Sequence, residues 1–253
     1  MIEFKKKFLF LLFLVFLNSC ATKKDVVYFN DINTENKDAV VFTERKIQIN
    51  DILNILVSAN SAELAASYNQ VPNIPNNPNN VGYLVNLEGY ITMPVLGKIK
   101  AKDFTLSQLE TYLNDLIVKG QHLTQPIVVA KLINAKFTVL GEVQNPGTYT
   151  FSEQNISLLQ ALGYAGDLSI FGVRKNILII REEDGIKNYA TIDLTSKEWF
   201  KSPYYYVKPN DVIYVNPNAT KVKSSGYVGS LATFLSIISV TVSALLTITI
   251  LTR

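Results

Sequence analysis

Apolar residues recur every three or four positions between residues 106 and 118, which is the spacing of one helical face. Thr105 and Gln108 occupy the two positions of a capping box before this stretch, and Gly120 follows it as a stop signal. The sequence therefore predicts a helix over residues 106–118.

A shorter stretch, "SLLQALGYAG", carries the same signals. Ser157 and Gln160 fit a second capping box, and Gly166 comes just after the apolar positions. We therefore predict a second, shorter helix, which lies in the other half of the chain.

Alternating apolar and polar residues predict strands in the first half of the chain. Residues 45–60 contain β-branched runs on either side of the turn pair Asn50 and Asp51, which predicts two strand pieces. Residues 82–101 alternate on either side of positions 87–89, which predicts a hairpin that turns there.

In the second half, residues 126–151 predict three strands, with a turn at residues 145–147 before the third. Residues 176–194 predict a hairpin that turns at residues 184–185, and "VKPNDVIYVNP" predicts a last strand. Strands outnumber helices, and one helix lies among the strands of each half. The sequence thus predicts an α+β protein with two small modules in series.

The first residues have the pattern of an export signal. Lys5, Lys6 and Lys7 precede an apolar run of ten residues, which is too short to span a membrane. The following "LNSC" resembles the lipobox of bacterial lipoproteins, in which cleavage leaves Cys20 as an acylated first residue. We therefore predict a lipoprotein signal peptide over residues 1–19 and lipid, such as palmitate, on Cys20; the alternative is an ordinary cysteine after an ordinary signal.

Charge and cysteine content limit the remaining possibilities. The chain has one cysteine, so it forms no intrachain disulfide. Removal of the signal takes away three lysines and one glutamate, which lowers the formal net charge from +3 to +1. This small charge, without a basic cluster, gives no reason to expect nucleic acid as a partner.

Residues 231–251 form an uncharged stretch of 21 residues, which predicts a C-terminal membrane helix. Seven of these residues are Ser or Thr. On a helical wheel five of the seven fall within about 120° of arc, and we propose them as pore-lining residues: Thr233, Ser236, Ser239, Ser243 and Thr247. The alternatives are a plain anchor whose hydroxyls bond back to the backbone and an ordinary contact between membrane helices.

The passages "IQINDILNILV" and "GYITMPVLGKIKAKDFTLSQLETYL" resemble the polysaccharide export domain of Wza-type outer-membrane lipoproteins. "FTVLGEVQNPGTYTF" resembles the adjoining SLBB module, which is β-grasp-like. Asn50 stands where the family usually has Gly, and one SLBB-like unit is found where larger members have more. The family turn motif G-x-V-x-x-P-G-x-Y has these residues at its ends and its turn: Gly141, Pro146, Gly147 and Tyr149.

The resemblance implies a domain order and a function. Such proteins assemble as rings that export capsular polysaccharide or exopolysaccharide across the outer membrane of Gram-negative bacteria, often with an inner-membrane chain-length or tyrosine-kinase protein. We expect a homo-oligomer of more than about six subunits, with the bulk of the chain in the periplasm. The predicted segments are the signal at 1–19, a linker at 20–44, the export domain at 45–134, the SLBB-like domain at 135–217, a second linker at 218–230 and the membrane helix at 231–251.

Residues suited to catalysis are scarce, so we expect neither an enzyme nor a metal or cofactor. His122 is the sole histidine, and no nucleotide-binding or nucleophile motif is present. Glu182, Glu183 and Asp184 lie at a predicted hairpin tip, where solvated charge is the expected state.

A lipid-anchored envelope scaffold without a pore is the alternative function. It would bind glycan through aromatic rings, which suit the faces of sugars. A cluster of aromatic residues near a strand more often fills a core or a subunit interface, and five residues form such a cluster here: Trp199, Phe200, Tyr204, Tyr205 and Tyr206.

Overall fold

The computed structural model describes residues 25–32, 42, 44–69, 82–121, 123–183, 185–226 and 231–252. Helices and strands are mixed within two domains in series, as the sequence predicts. The first domain contains five strands, β1 (Ile52–Ser58), β2 (Tyr83–Leu84), β3 (Tyr90–Met93), β4 (Gly97–Lys100) and β5 (Ile127–Leu132), and two helices, α1 (Ala62–Ala66) and α2 (Leu106–Lys119).

The second domain follows directly and is richer in strands. It contains β6 (Lys136–Gly141), β7 (Gly147–Thr150), β8 (Ile156–Ser157), helix α3 (Leu158–Tyr164), β9 (Gly172–Glu183), β10 (Ile186–Ile192), a 3₁₀ helix (Glu198–Lys201), β11 (Tyr206–Val207) and β12 (Val212–Pro217). Two helices come after it, α4 (Ala219–Ser224) and α5 (Leu231–Leu251).

The core of the first domain lies between helix α2 and a three-stranded sheet. The sheet has the order β2-β1-β5, with β1 antiparallel to both neighbours. Helix α2 buries one apolar stripe, formed by Leu109, Leu113 and Ile117. Both halves of the predicted capping box are present, because Thr105 accepts from the Gln108 N–H and Gln108 accepts from the Thr105 N–H.

The core of the second domain lies on one face of a five-stranded sheet. Its order is β10-β9-β12-β6-β7, and β12 runs parallel to β6 but antiparallel to β9. Helix α3 buries Leu158, Ala161 and Leu162, and its predicted capping box at Ser157 and Gln160 is confirmed.

Two predictions for the first domain are wrong. The hairpin turns at residues 94–96, between β3 and β4, and not at residues 87–89. The Asn86 side chain accepts hydrogen bonds from the Glu88 and Tyr90 N–H groups, and this turn leads from one sheet to another. The strand piece predicted before Asn50 is also wrong, since Lys46 forms only an isolated bridge there, whereas the piece predicted after the turn pair is confirmed as β1.

The two domains use the same turn to begin a central strand. Asn50 and Asn210 both have a positive φ, 68° and 70°, so asparagine adopts in both turns the left-handed conformation that favours glycine. Asp51 and Asp211 follow, and each is buried with an arginine partner. Each carboxylate also accepts from a backbone N–H three residues earlier, so the aspartate closes the turn in both domains.

Candidate functional site

The C-terminal segment forms one continuous helix, α5, over Leu231–Leu251, as predicted. Among the residues that the structure describes, one helix, Ala232–Leu251, is long and apolar enough to cross a membrane, and it is not buried against the rest of the chain. Its aliphatic side chains are largely exposed, for example Leu245 at 63%. A surface of this kind requires lipid or protein around it.

Hydroxyl groups along α5 bond back to the helix backbone. In the predicted stripe, Ser236 donates to the Thr233 carbonyl at 2.7 Å, and Thr247 donates to the Ser243 carbonyl at 2.9 Å. Thr241 and Thr249, which lie outside the stripe, make equivalent bonds at 2.8 Å. The bonds lower the cost of placing a hydroxyl in lipid, so they are compatible with an anchor as well as with a pore.

The G-x-V-x-x-P-G-x-Y motif forms the connection from β6 to β7. Gly141 has a φ of +88°, and a Cβ added to it would lie 2.0 Å from the Val215 carbonyl oxygen. Val143 forms a bridge to Leu168, and the Asn145 N–H donates to the Ala165 carbonyl at 2.8 Å. The connection is thus fixed to the residues after helix α3.

Two further residues of the motif, Gly147 and Tyr149, lie at the end of the same connection. The Tyr149 hydroxyl donates to the Asn145 carbonyl, and its ring stacks on Phe137 with centroids 5.7 Å apart. Gly147 does not have a positive φ, and a Cβ there would meet no atom closer than 3.8 Å, so the backbone at this position does not require glycine. Gly147 is the first residue of β7, and the close approach of backbone in this connection occurs at Gly141.

Comparison with protein families matches both domains in the predicted order. Residues 41–132 match the family described as polysaccharide biosynthesis/export protein, and residues 136–187 match the SLBB domain. The two matches, in this order, are those of a polysaccharide export protein with one SLBB domain. They indicate a role in polysaccharide export or binding and a location in the cell envelope.

The aromatic cluster of the SLBB domain is mainly part of its core. Trp199 is only 5% exposed and packs edge-on against Phe200, with ring centroids 4.9 Å apart. Tyr205 stacks on Trp199 at 5.5 Å, and Tyr204 lies under the Arg181 guanidinium at 4.6 Å. These contacts occupy ring faces that a sugar would need, so the packing role is the better interpretation.

An N-terminal strap, residues 25–32, lies on the SLBB domain although the export domain comes first in the chain. Phe29 donates its N–H to the Leu194 carbonyl at 3.1 Å, and its ring lies 5.4 Å from that of Phe200. The Tyr28 hydroxyl donates to Asp167, and burial raises the pKa of that hydroxyl well above its usual range.

The strap lies within residues 20–44, the segment predicted to be a linker. Its signal was the apolar run from Val26 to Phe29 within otherwise polar sequence, which a solvated linker does not need. Beyond the apolar contacts, Asp31 accepts from the Ser196 hydroxyl at 2.7 Å and Asp25 pairs with Lys175 at 2.7 Å.

No catalytic or metal site is evident in the part of the chain that the structure describes. No group of three His, Cys, Asp or Glu side chains there could hold a metal ion. Glu183 pairs with Lys208, and Glu182 is exposed on β9. Cys20, His122 and Asp184 lie outside the described residues. The two matched families are export and binding families and not enzyme families.

Proposed function

We propose that this protein is a subunit of an oligomeric conduit that carries capsular polysaccharide or exopolysaccharide across the outer membrane. The observation that carries the proposal is helix α5, a 21-residue uncharged helix that projects from an export-family body and packs against none of it. A helix of this length is about 31 Å long, which matches the hydrocarbon thickness of a bilayer.

A ring of such helices provides the route. A helix satisfies its own backbone groups, so a ring of helices is permitted in a membrane where spanning proteins are mostly β-barrels. With axes about 10 Å apart, eight helices enclose a lumen roughly 16 Å wide, whereas four leave almost none. A conduit for glycan therefore needs more than about six subunits.

The five stripe hydroxyls would face this lumen. The bonds to carbonyls use the hydroxyl hydrogens of Ser236, Ser239 and Thr247, so their oxygens remain acceptors for water or for sugar hydroxyls. On the opposite arc, exposed Leu and Ile side chains would face lipid. This division into a hydroxyl surface and an aliphatic surface supports a pore. The stripe differs from the other hydroxyls of α5 in its spacing along the sequence and not in its hydrogen bonds.

Further parts of the proposal concern attachment and partners. Lipid on Cys20 would hold the N-terminus in the same membrane, with most of the chain in the periplasm. The polymer would arrive through an inner-membrane chain-length or tyrosine-kinase protein. The alternative, a lipid-anchored scaffold that binds glycan without a pore, is favoured by one observation, namely that hydroxyls inside and outside the stripe make the same backbone bonds.

Labelling of two single cysteine variants tests the pore. Positions 243 and 245 are about 200° apart around the helix, so Ser243→Cys would face the lumen while Leu245→Cys faces lipid. A small membrane-impermeant thiol reagent added to cells should label Ser243→Cys and largely miss Leu245→Cys. The unmodified chain is the control, since lipid already occupies the Cys20 sulfur and no label should attach.

Truncation after Gly229 is the functional test of the same segment. The shortened chain should remain folded and lipid-anchored, while polymer no longer reaches the cell surface. Equal labelling of the two cysteine variants, or normal surface polymer from the truncated chain, would reduce α5 to an anchor and favour the scaffold.

A further inference from the structure

One end of the SLBB sheet carries exposed apolar side chains close to both membrane attachments. At this end β9 begins at Gly172, which pairs with Pro217 at the end of β12. The turn before β9 presents Ile170, which is 64% exposed, and Phe171, which is 37% exposed. Helix α4 adds Val222, which is 58% exposed. We call this surface the Phe171 end; its residues are Ile170, Phe171, Lys221, Val222 and Lys223.

The turn that presents these residues is firmly held. The Ser169 hydroxyl accepts from the Phe171 N–H at 3.1 Å, and the Ser169 carbonyl accepts from Arg174 at 2.7 Å. The Phe171 carbonyl accepts from the Asn218 N–H at 2.7 Å, which joins the turn to the start of α4. The exposed side chains therefore project from a fixed scaffold.

Both attachments start from this end. Asp25, five residues after Cys20, pairs with Lys175, which lies on β9 three residues after Gly172. Gly226, five residues before α5 begins, follows the exposed helix α4. Five residues span at most about 18 Å, so neither the lipid nor the membrane helix can lie far from the Phe171 end.

We propose that the Phe171 end rests in the headgroup layer of the membrane, with Ile170, Phe171 and Val222 inserted at the boundary of the acyl chains. This inference rests on the membrane attachment proposed above but not on the ring. Apolar side chains on a rigid turn gain free energy when they leave water for this layer, and lysines beside them remain with the headgroups.

The charges of this end indicate which lipid is required. Lys221 lies 3.8 Å from Glu142, and Lys175, which lies beside this end on β9, is paired with Asp25, so part of the positive charge is already balanced. Lys221 also lies over the Phe171 ring at 5.4 Å, where the ring face further offsets its charge. Apolar contact therefore dominates, and we expect insertion into membranes of uncharged phosphatidylcholine as well as into anionic ones.

Site-specific fluorescence tests the contact on the full lipidated chain. Single variants Ile170→Cys and Val222→Cys would be labelled with the polarity-sensitive dye NBD and reconstituted into phosphatidylcholine vesicles. Ile186→Cys is the matched control, because Ile186 is 65% exposed but lies at the far end of β9. A strand of 12 residues is about 40 Å long, so this control stays in bulk water.

The expected result is an emission shift to shorter wavelength at positions 170 and 222, with quenching by lipids that carry a nitroxide near the headgroup. Position 186 should show neither effect. If the chain floats with the vesicles but position 170 behaves like position 186, the inference is wrong while the attachment stands. A shift without nitroxide quenching would place protein and not lipid against this end, which also overturns it. A chain that does not float overturns both proposals.

Discussion

Nη2 of Arg181 lies 2.7 Å from Oδ2 of Asp211, and both side chains are almost completely buried in the SLBB domain. The same guanidinium donates to the Pro203 and Tyr206 carbonyls at 3.1 and 2.8 Å. Burial raises the pKa of the Asp211 carboxyl, and the charge of Arg181 opposes that rise. The pair thus fixes the loop from Pro203 to Tyr206 to the sheet.

Loss of one partner of this pair should be strongly destabilising. Asp211→Ala leaves Arg181 buried without a counter-charge, and we expect a loss of about 3 kcal/mol in the free energy of unfolding. Thermal unfolding of the detergent-solubilised chain should show a midpoint lowered by roughly 6 to 12 °C. Glu88→Gln, at an exposed pair with Lys98, is the control and should leave the midpoint unchanged.

The two glycines of the family turn should respond differently to substitution. Gly141→Ala places a Cβ 2.0 Å from the Val215 carbonyl and requires a left-handed φ, so we expect a loss of more than about 2 kcal/mol. Gly147→Ala would make only ordinary van der Waals contacts, with the Tyr149 ring at 3.8 Å or more, and should stay within about 0.5 kcal/mol of the natural chain. Equal effects in thermal unfolding would show that the turn does not depend on backbone approach at Gly141.

The strap can be followed with the natural fluorophore of the chain, its sole tryptophan. The Phe29 ring stacks at 6.5 Å from Trp199. Phe29→Ala should weaken strap docking by about 1 to 2 kcal/mol and shift the tryptophan emission to longer wavelength as water reaches the indole. Phe42→Ala removes a ring that stacks on Tyr206 instead. The tryptophan emission of the Phe42→Ala variant should match that of the natural chain. A shift in this variant would argue against the use of the emission as a measure of strap docking.

Acid should loosen the strap through Asp31. Hydrogen bonds from the Ser196 hydroxyl and the Lys197 N–H lower the pKa of Asp31 below its ordinary value. The docked state therefore favours the carboxylate, so this stabilisation is present above the ordinary pKa of about 3.9 and is lost as pH falls through the lower docked value. In a titration from neutral pH to about pH 3, the tryptophan emission of the natural chain should change as the Asp31 carboxylate takes up a proton. The Asp31→Asn variant should lack this part of the change.

Acylation of Cys20 is the remaining prediction. Cys20→Ser should abolish lipid attachment and leave uncleaved precursor, because the predicted lipobox needs a thiol. Three acyl chains hold a protein firmly, whereas one gives only marginal binding. Metabolic labelling with palmitate measures the outcome, and label that persists in the variant would contradict the prediction.

Local signals predicted the local structure well. Each capping box joins residues three positions apart, and the α5 bounds follow from one uninterrupted uncharged stretch, so the sequence contains the complete pattern. The first hairpin was misplaced because a side chain, Asn86, accepts the bonds that redirect the chain, and alternation does not show this. At the family turn, the motif identified the right residues, but the demand for glycine depends on Val215, which lies on another strand.

In the candidate site, too, the features that depend on local sequence were predictable and the long-range contacts were not. The position and length of the membrane helix were predictable because hydrophobicity over 21 residues is a local property. The place where the strap docks was not predictable, since the partners of Tyr28 and Asp31 lie 139 and 165 residues further along the chain. Contacts of such separation have no periodic pattern in the sequence.

That separation has a consequence for the order of folding. Closing a loop of this size carries a large entropic cost before any contact forms, so strap docking belongs late in folding. The export domain can form its core before the residues between Asp167 and Phe200, on which the strap packs, have folded. A segment that precedes both domains in the chain would then be among the last to reach its native place.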